Sequence, residues 1–462
     1  MSKKERQKKK KEKKEKRPFS LIEKIYIILN VIFVIGLCSF YGYRMVIYHE
    51  REKQERKAAV SIFNEAIIAN NDLVKTGTGL HRDKDGYYFK GDPDNNYVKF
   101  ANRLYRIIRV NKDGSVKVIS NELVGSFMNG TNEYHNGNVR KFLEKTDNKN
   151  SGIYYDTIPG IDKYLVKTTY TIDVIKDNKI TNGTTDYSDY ITTLQVNDYA
   201  KAGGMDSYLN ISKYFYTTSI NDQNKIITID NSGSINPVDG ATSTGVRAVF
   251  TFKKNLNYSG GVGTEEDPYV ITQDIEKNYV DNYVRLGNNL WKVYYDKNDI
   301  LKMALYGYIK DGSSFVKKPF TTYEKEFLIN RYDNIGYYLN YSYYNNLDYS
   351  KYIISNNYYI GSVGIDNKHS FNSYFEDKIK VKVGMLGLFD YNNLYVLDDY
   401  YLINTTTNTT TKGIVDVYVY HNNGYVEETY STTEKKIVPV ISIKKSSIKT
   451  GEGSLDQPYG VG

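Results

Sequence analysis

Between Lys24 and Arg44 the chain runs for nineteen residues without a formal charge, from Ile25 to Tyr43, reading IYIILNVIFVIGLCSFYGY. Wound as a helix at 1.5 Å per residue, this run is about 29 Å long, close to the roughly 30 Å thickness of a bilayer's hydrocarbon layer. No later stretch is similarly uncharged, so a soluble core has nothing of matching character to wrap around it. Tyr41, Tyr43 and Tyr48 gather at one end, where amphipathic rings favour the membrane interface. On the other side, residues 1–17 hold eleven Lys or Arg against three Glu, which equals the whole formal charge of +8. Positive flanks stay in the cytoplasm. The expected topology is a single-pass plasma-membrane protein: a cytoplasmic polybasic tail over 1–24, a transmembrane helix over 25–43, and everything later outside the cell.

The remaining residues sum to zero charge, so the basic balance describes the tail alone and gives no reason to expect a nucleic-acid surface on the folded part. The tail, Lys3 to Arg17, is suited to anionic lipid headgroups, at about 1 kcal/mol per charge near the inner leaflet. RNA is a second partner for such a run, and a solvated tail that only sets orientation is the plainest. A cleaved signal peptide is disfavoured, because the apolar run is long and no small-x-small site follows it. Phe19 to Glu23 before an apolar helix resembles the start of type IV pilins and pseudopilins, with Phe at the first mature position and Glu at the fifth. Pro18 stands where the processing peptidase needs Gly, and Pro also suits the first turn of a helix.

Past the membrane, Ala59, Ile62, Phe63, Ala66 and Ile67 recur at helical spacing. A helical stalk is expected over 44–76, its apolar stripe packing on the next domain rather than dimerising, since it is shorter than three heptads. Cys38 is the one cysteine. It lies in the apolar run, which rules out an intrachain disulfide and a Cys-ligated metal, and an exterior without disulfides suits a bacterial surface, particularly a Gram-positive one. Tyr occurs 48 times. That abundance fits carbohydrate-stacking surfaces, and it also fits the AT-rich codons of a low-GC genome.

The rest of the chain repeats itself. NYVKFANRLYRI at 96–107 aligns without a gap on NYVRLGNNLWKV at 282–293, pairing Tyr105 with Trp291. KYLVKTTYTI aligns with KYIISNNYYI, ITTLQVNDY (191–199) with VGMLGLFDY (383–391), TGVRAVFTFKK with KKIVPVISIKK, and GTEEDPY with GSLDQPY, at offsets between 186 and 192. Collinear matches at one offset indicate a tandem duplication, with extracellular repeat domain 1 over 77–272 and repeat domain 2 over 273–462. Local signals are mostly strand, with hairpin turns at Asn111 to Gly114, Asn231 to Gly233 and His421 to Gly424. Short helices are expected over Val139 to Lys145 and Asn197 to Ala202, the second capped by Asp198 and stopped by Gly203. The fold class is α+β: one transmembrane helix and its stalk, then two mainly antiparallel β-rich domains with few short helices.

The residues Tyr105-Arg106-Ile107-Ile108, Val139-Arg140-Lys141-Phe142-Leu143, Gly245-Val246-Arg247-Ala248-Val249 and Gly263-Thr264 through Pro268-Tyr269 together resemble an uncharacterised surface domain of low-GC Gram-positive bacteria. Tyr105, Phe142 and Ala248 depart from that family's two Trp and one Pro; the second copy keeps Trp291 and Pro439 but has Val438 for the Arg. The family is in turn similar to the C-type-lectin-like fold shared with sulfatase-modifying factors. That resemblance implies that Arg140 and Arg247 fix the first copy through buried hydrogen bonds. It does not carry over catalysis, which in that family is thiol chemistry and has only Cys38 to call on.

No nucleophile elbow, phosphate loop or zinc-protease motif is present, and His49, His81, His135, His369 and His421 are scattered without ligand spacing. Gly91-Asp92-Pro93-Asp94-Asn95-Asn96 has the oxygen donors of a calcium loop but not the full pattern, and reads better as a turn. Asn404 to Thr411, NTTTNTTT, reads as an exposed low-complexity loop. The expected function is therefore a surface binding or adhesion protein: no catalytic residues, cofactor or metal, ligand-binding residues unknown, and an extracellular glycan, cell-wall polymer or protein as ligand. The alternative is a structural or assembly subunit of an envelope or pilin-like complex.

Overall fold

The computed structural model describes residues 20–59, 61–177, 179–274, 277–322, 326–364, 369–392, 394, 401–411, 414–421 and 423–462. The lysine-rich run Lys3 to Arg17, with Pro18 and Phe19, lies outside the described residues. Two compact units are present, Met1–Val60 and Ser61–Gly462.

The first unit is one helix, Leu21–Ala59. Its start is fixed locally. The Ser20 N–H donates to Glu23 Oε2 at 2.7 Å and the Glu23 N–H to Ser20 Oγ at 3.2 Å, a reciprocal capping box that satisfies two donors the helix cannot satisfy itself. The stretch Leu21–Met45 is long and apolar enough to cross a membrane, and none of it is buried within the protein. Such a helix serves as an anchor or as a signal sequence.

The stalk expected over 44–76 is not one helix. The first helix ends at Ala59, and a separate helix, Phe63–Asn70, belongs to the folded unit. Phe63 and Ile67 are fully buried there, and the Phe63 ring meets Phe252 and Tyr269 edge-on, both at 5.8 Å. Burying such side chains gains about 1.5–3 kcal/mol each, more than a continuous exposed helix offers, so the chain breaks before Phe63 and its stripe joins the core. The boundary expected at 77 thus falls inside the compact unit, which begins at Ser61.

Within Ser61–Gly462 the architecture is α+β and β-rich, with short helices. One sheet runs in the order Ile191–Thr192, Val249–Phe252, Val116–Ser120, Arg103–Asn111, Tyr97–Phe100, Tyr269–Val270. Another runs Val383–Met385, Pro439–Lys444, Ile300–Leu305, Asn289–Lys297, Tyr283–Leu286, Tyr459–Val461. Over these six strands in both, every neighbouring pair is antiparallel except the last, which is parallel; the first sheet also carries Gly79–Asp83, Gly86–Lys90 and Leu165–Val166, and the second Ile448–Thr450, antiparallel to Tyr459–Val461. Register agrees as well: Val98 faces Tyr105 and Tyr269, and Val284 faces Trp291 and Tyr459. The two sheets share a bulge at the same place, between Ile107 and Arg109 and between Val293 and Tyr295. Gly263 (φ 90°) and Gly453 (φ 85°) hold equivalent turns, where an added Cβ would overlap the ring of Tyr269 or Tyr459.

A second pair of sheets matches in the same way. Ile235–Val238, Ile226–Ile229, Phe215–Asn221, Ser243–Val246 and Gly125–Met128 form one; Tyr425–Tyr430, Ile414–His421, Tyr401–Thr411, Lys435–Ile437 and Lys317–Lys318 form the other. Over these five strands the third and fourth are parallel and the rest antiparallel; the first of the two sheets goes on through Thr168–Lys176, which pairs parallel with Phe215–Asn221, and Lys179–Asp189, whereas Asn356–Tyr359 and Lys378–Val381 pair with each other as a separate two-stranded sheet. The Thr-rich stretch is therefore a strand rather than an exposed loop: Thr405 is fully buried, and its Oγ1 accepts the Leu388 N–H at 2.9 Å. β-branched Thr packs well on a pleated surface once its hydroxyl has a partner.

Within this one compact unit, the first half, the stretch before about residue 272, and the second half after it meet in a buried polar knot. The Arg103 guanidinium pairs with Asp281 through Nε and lies between the rings of Tyr154 (5.0 Å) and Tyr391 (4.7 Å). Tyr391 also donates to Asp281 Oδ2 at 2.8 Å. Beside it, Phe127 packs edge-on against Phe389 at 4.9 Å.

Candidate functional site

In the first half a cleft of about 410 Å³ opens between the sheet and the long hairpin Thr168–Lys176/Lys179–Asp189. Its floor is Lys117 on Val116–Ser120 and its rim is the helix Val196–Ala202, which brings Asp198 within 2.5 Å of Lys117 Nζ. Asp198 does not cap that helix, contrary to the sequence reading. The caps are Asp173, whose Oδ2 accepts the Asn197 N–H at 3.0 Å, and Ser219, whose Oγ accepts the Val196 N–H at 3.0 Å. Burial pushes the Asp173 carboxyl above its ordinary range. Gly203, at φ 115°, ends the helix as expected.

The hairpin wall is clamped from behind. Arg140 grips Asp189 with two bonds, Nε to Oδ2 at 2.9 Å and Nη2 to Oδ1 at 2.7 Å, and Tyr170 donates to the same carboxylate at 2.8 Å. Glu144 accepts the N–H groups of Tyr190 and Ile191 at 2.9 and 3.0 Å where the hairpin leaves its second strand. Burial lifts the Glu144 carboxyl to about 7.

A second cleft, of about 240 Å³, lies beneath the hairpin Asn356–Tyr359/Lys378–Val381. Tyr295, Tyr359 and Phe375 line it, with Lys302 and Asp390 at its base. Lys302 Nζ donates to Asn357 O at 2.7 Å and sits over the rings of Tyr295 (5.2 Å) and Tyr358 (4.9 Å); burial pushes its ammonium below the usual lysine value. Asp390 accepts from Tyr374 OH at 2.6 Å and from the Gly387 N–H at 2.9 Å, and burial pushes its carboxyl up. The first half completes the rim. Asp156 bonds Lys297 at 2.6 Å and Lys145 at 3.3 Å.

These clefts occupy one position in two matching topologies. Lys117 follows the first sheet's bulge, opposite Arg109 and Thr251; Lys302 follows the second's, opposite Tyr295 and Ser442. Asp198 and Asp390 fall at the same place in the aligned segments ITTLQVNDY and VGMLGLFDY. What differs is the lining. Arg109, Asn111 and Thr171 in the first cleft stand where Tyr295, Lys297 and Tyr359 stand in the second. The aligned segments do not mark these lysines and aspartates, which carry no distinctive spacing in the sequence; the fold closes Lys117 onto Asp198 and sets Lys302 and Asp390 in the lining of one cleft without an ion pair.

The residues named from sequence are placed as follows. Arg247 is fully buried, donating Nε and Nη2 to Ser120 O at 3.0 and 2.8 Å and Nη1 to Leu209 O at 2.7 Å. In the loop Gly91 to Asn96, Arg106 takes the position a cation would need: Nε bonds Asn96 Oδ1 at 2.6 Å and Nη2 bonds Pro93 O at 2.8 Å. His81 bonds Gly77 O, His369 bonds Tyr418 OH, and His421 accepts the Asn423 N–H. Among the described residues no group of three or more His, Cys, Asp or Glu is placed to hold a metal ion.

No protein-family model, curated protein or solved structure matches the chain.

Proposed function

We propose that this chain is a membrane-anchored surface binding protein without catalysis. The basic tail lies in the cytoplasm, the helix through 25–43 crosses the plasma membrane, and Ser61–Gly462 stands outside as two related, lectin-like domains in tandem. The observation that carries this reading is the recurrence of one cleft at one position in two matching sheet pairs, each with a lysine and an aspartate at its base. A duplicated fold that keeps a concave, partly polar and partly aromatic recess in both copies has the character of a ligand site. Tyrosine faces beside hydroxyl, amide and carboxylate groups suit a glycan or cell-wall polymer. The lectin-like element comes from the family resemblance of the residues.

The test is retention of the full chain, held in lipid nanodiscs, on purified wall polysaccharide, glycan arrays and intact cells. Retention that drops when the clefts are altered supports the reading; absence of retention on every surface overturns it. For orientation, protease added outside intact cells is expected to remove Ser61–Gly462 while the tail stays protected. An assembly subunit of pilin type is less favoured, because Glu23 closes a capping box on Ser20.

A further inference from the structure

Resting on that reading, we propose that the second cleft is the module's saccharide site and that its ligand is an acidic sugar unit, a pyranose ring stacked on Tyr295 and Tyr359 with its carboxylate or phosphate directed to Lys302. The charges around this cleft do not cancel evenly. Asp156 is shared by Lys145 and Lys297, and Asp296 is taken by Lys445 at 2.6 Å. Lys302 makes no ion pair within 4 Å among the described residues: its ammonium rests on two ring faces and one carbonyl, and the Asp390 carboxylate acts on it only from farther off. A half-desolvated cation at the base of a recess gains strongly from an incoming anion, because the low local dielectric magnifies the attraction. Asp390, bonded by Tyr374 and Gly387, adds a directional partner for a sugar hydroxyl.

The walls argue for a sugar in particular. Tyr295, Tyr359 and Phe375 are half-buried, with ring surface left open to the recess, and Tyr359 and Phe375 are braced edge-on at 5.0 Å. A volume of about 240 Å³ is below the roughly 300–1,000 Å³ of drug-sized sites, room for a sugar unit rather than a folded epitope. The first cleft keeps the lysine and lacks this character: Lys117 is neutralised by Asp198, and Arg109 and Thr171 replace the two tyrosines. Segment 145–157 of the first half closes the rim of the second cleft, so the second copy makes this recess only in the company of the first.

The experiment uses the full chain in nanodiscs with three probes: a uronic-acid oligosaccharide, its neutral counterpart of equal length, and inorganic phosphate. Titration is expected to give binding of the acidic oligosaccharide, at least tenfold weaker binding of the neutral one, and weaker binding still of phosphate, which lacks a ring to stack. Lys302→Met and Tyr295→Ala are each expected to reduce acidic-oligosaccharide affinity at least tenfold, and Lys117→Met to leave it within twofold. Leu455→Ala, an exposed side chain that lines neither cleft, is expected to bind like the parent, and a melting temperature equal to the parent's is the folding control for Lys302→Met and Tyr295→Ala. Equal affinity for the neutral oligosaccharide, or no loss in Lys302→Met, overturns the proposal. Affinity lost only in Lys117→Met moves the site to the first cleft and overturns it while the binding module stands. Wall retention unaffected by changes in either cleft overturns the module as well.

Discussion

Glu144 offers a perturbation whose size can be worked from the structure. Its carboxyl is 4% exposed and accepts two backbone N–H groups at the exit of the hairpin that walls the first cleft. Desolvation outweighs those bonds and lifts the group from its ordinary 4.5 to about 7. Between these values the folded chain keeps a proton that the unfolded chain has released, so stability falls as pH rises through that window. At about 1.4 kcal/mol per pH unit the accumulated cost near pH 8 is about 3 kcal/mol, and near pH 4.5 it has vanished. Glu144→Gln keeps an acceptor oxygen and removes the titration. The variant is expected to match the parent at pH 4.5 and to be more stable by up to about 3 kcal/mol at pH 8. Thermal unfolding of the full chain in detergent across that range, with amide exchange read at Tyr190 and Ile191, measures it. A parent–variant difference that stays flat with pH, or a variant weaker than the parent at pH 8, would mean that the buried Glu144 carboxyl is not what destabilises the fold at high pH.

Phe63→Ala empties a fully buried site between Phe252 and Tyr269 and is expected to cost about 3–5 kcal/mol; a chain begun at 77 instead of 61 should unfold at markedly lower temperature for the same reason. Asp281→Asn leaves the Arg103 guanidinium buried between two rings and is expected to cost about 3–5 kcal/mol, most of it recovered in Arg103→Met/Asp281→Asn, as denaturant titration of the double-mutant cycle would show. Gly137→Ala forces a Cβ onto the buried Asn129 side-chain amide, which bonds Thr131 O, Glu133 O and the Val139 N–H; a stability loss of about 1–3 kcal/mol is expected from the displaced amide, read by thermal unfolding.

Much of this architecture was legible in the residues because its signals are local and redundant. Asn111 to Gly114 demanded a hairpin, and the structure has one. The uncharged run at Ile25 found its helix, and 96–107 and 282–293 each became an antiparallel strand pair in the same register. What escaped depends on partners far along the chain. Phe63, Ala66 and Ile67 read equally well as stalk or as core, and Phe252 and Tyr269 decide it. Thr-rich 404–411 is polar enough for a loop and β-branched enough for a strand; neighbours such as Leu388 settle the question by satisfying a buried hydroxyl. Helix Val196–Ala202 was found but its cap was assigned to Asp198, because Asp173 lies more than twenty residues earlier and Lys117 competes for Asp198. The lysines under the two clefts had no signature at all until the bulges and hairpins placed them.

The proposal that the second cleft holds the ligand is tested by hydrogen–deuterium exchange on the full chain in nanodiscs, with and without a uronic-acid oligosaccharide. Slowed exchange is expected along Asn356–Tyr359 and Lys378–Val381, the hairpin over the aromatic cleft. Protection confined to surfaces away from both hairpins, with these strands unchanged, would contradict it.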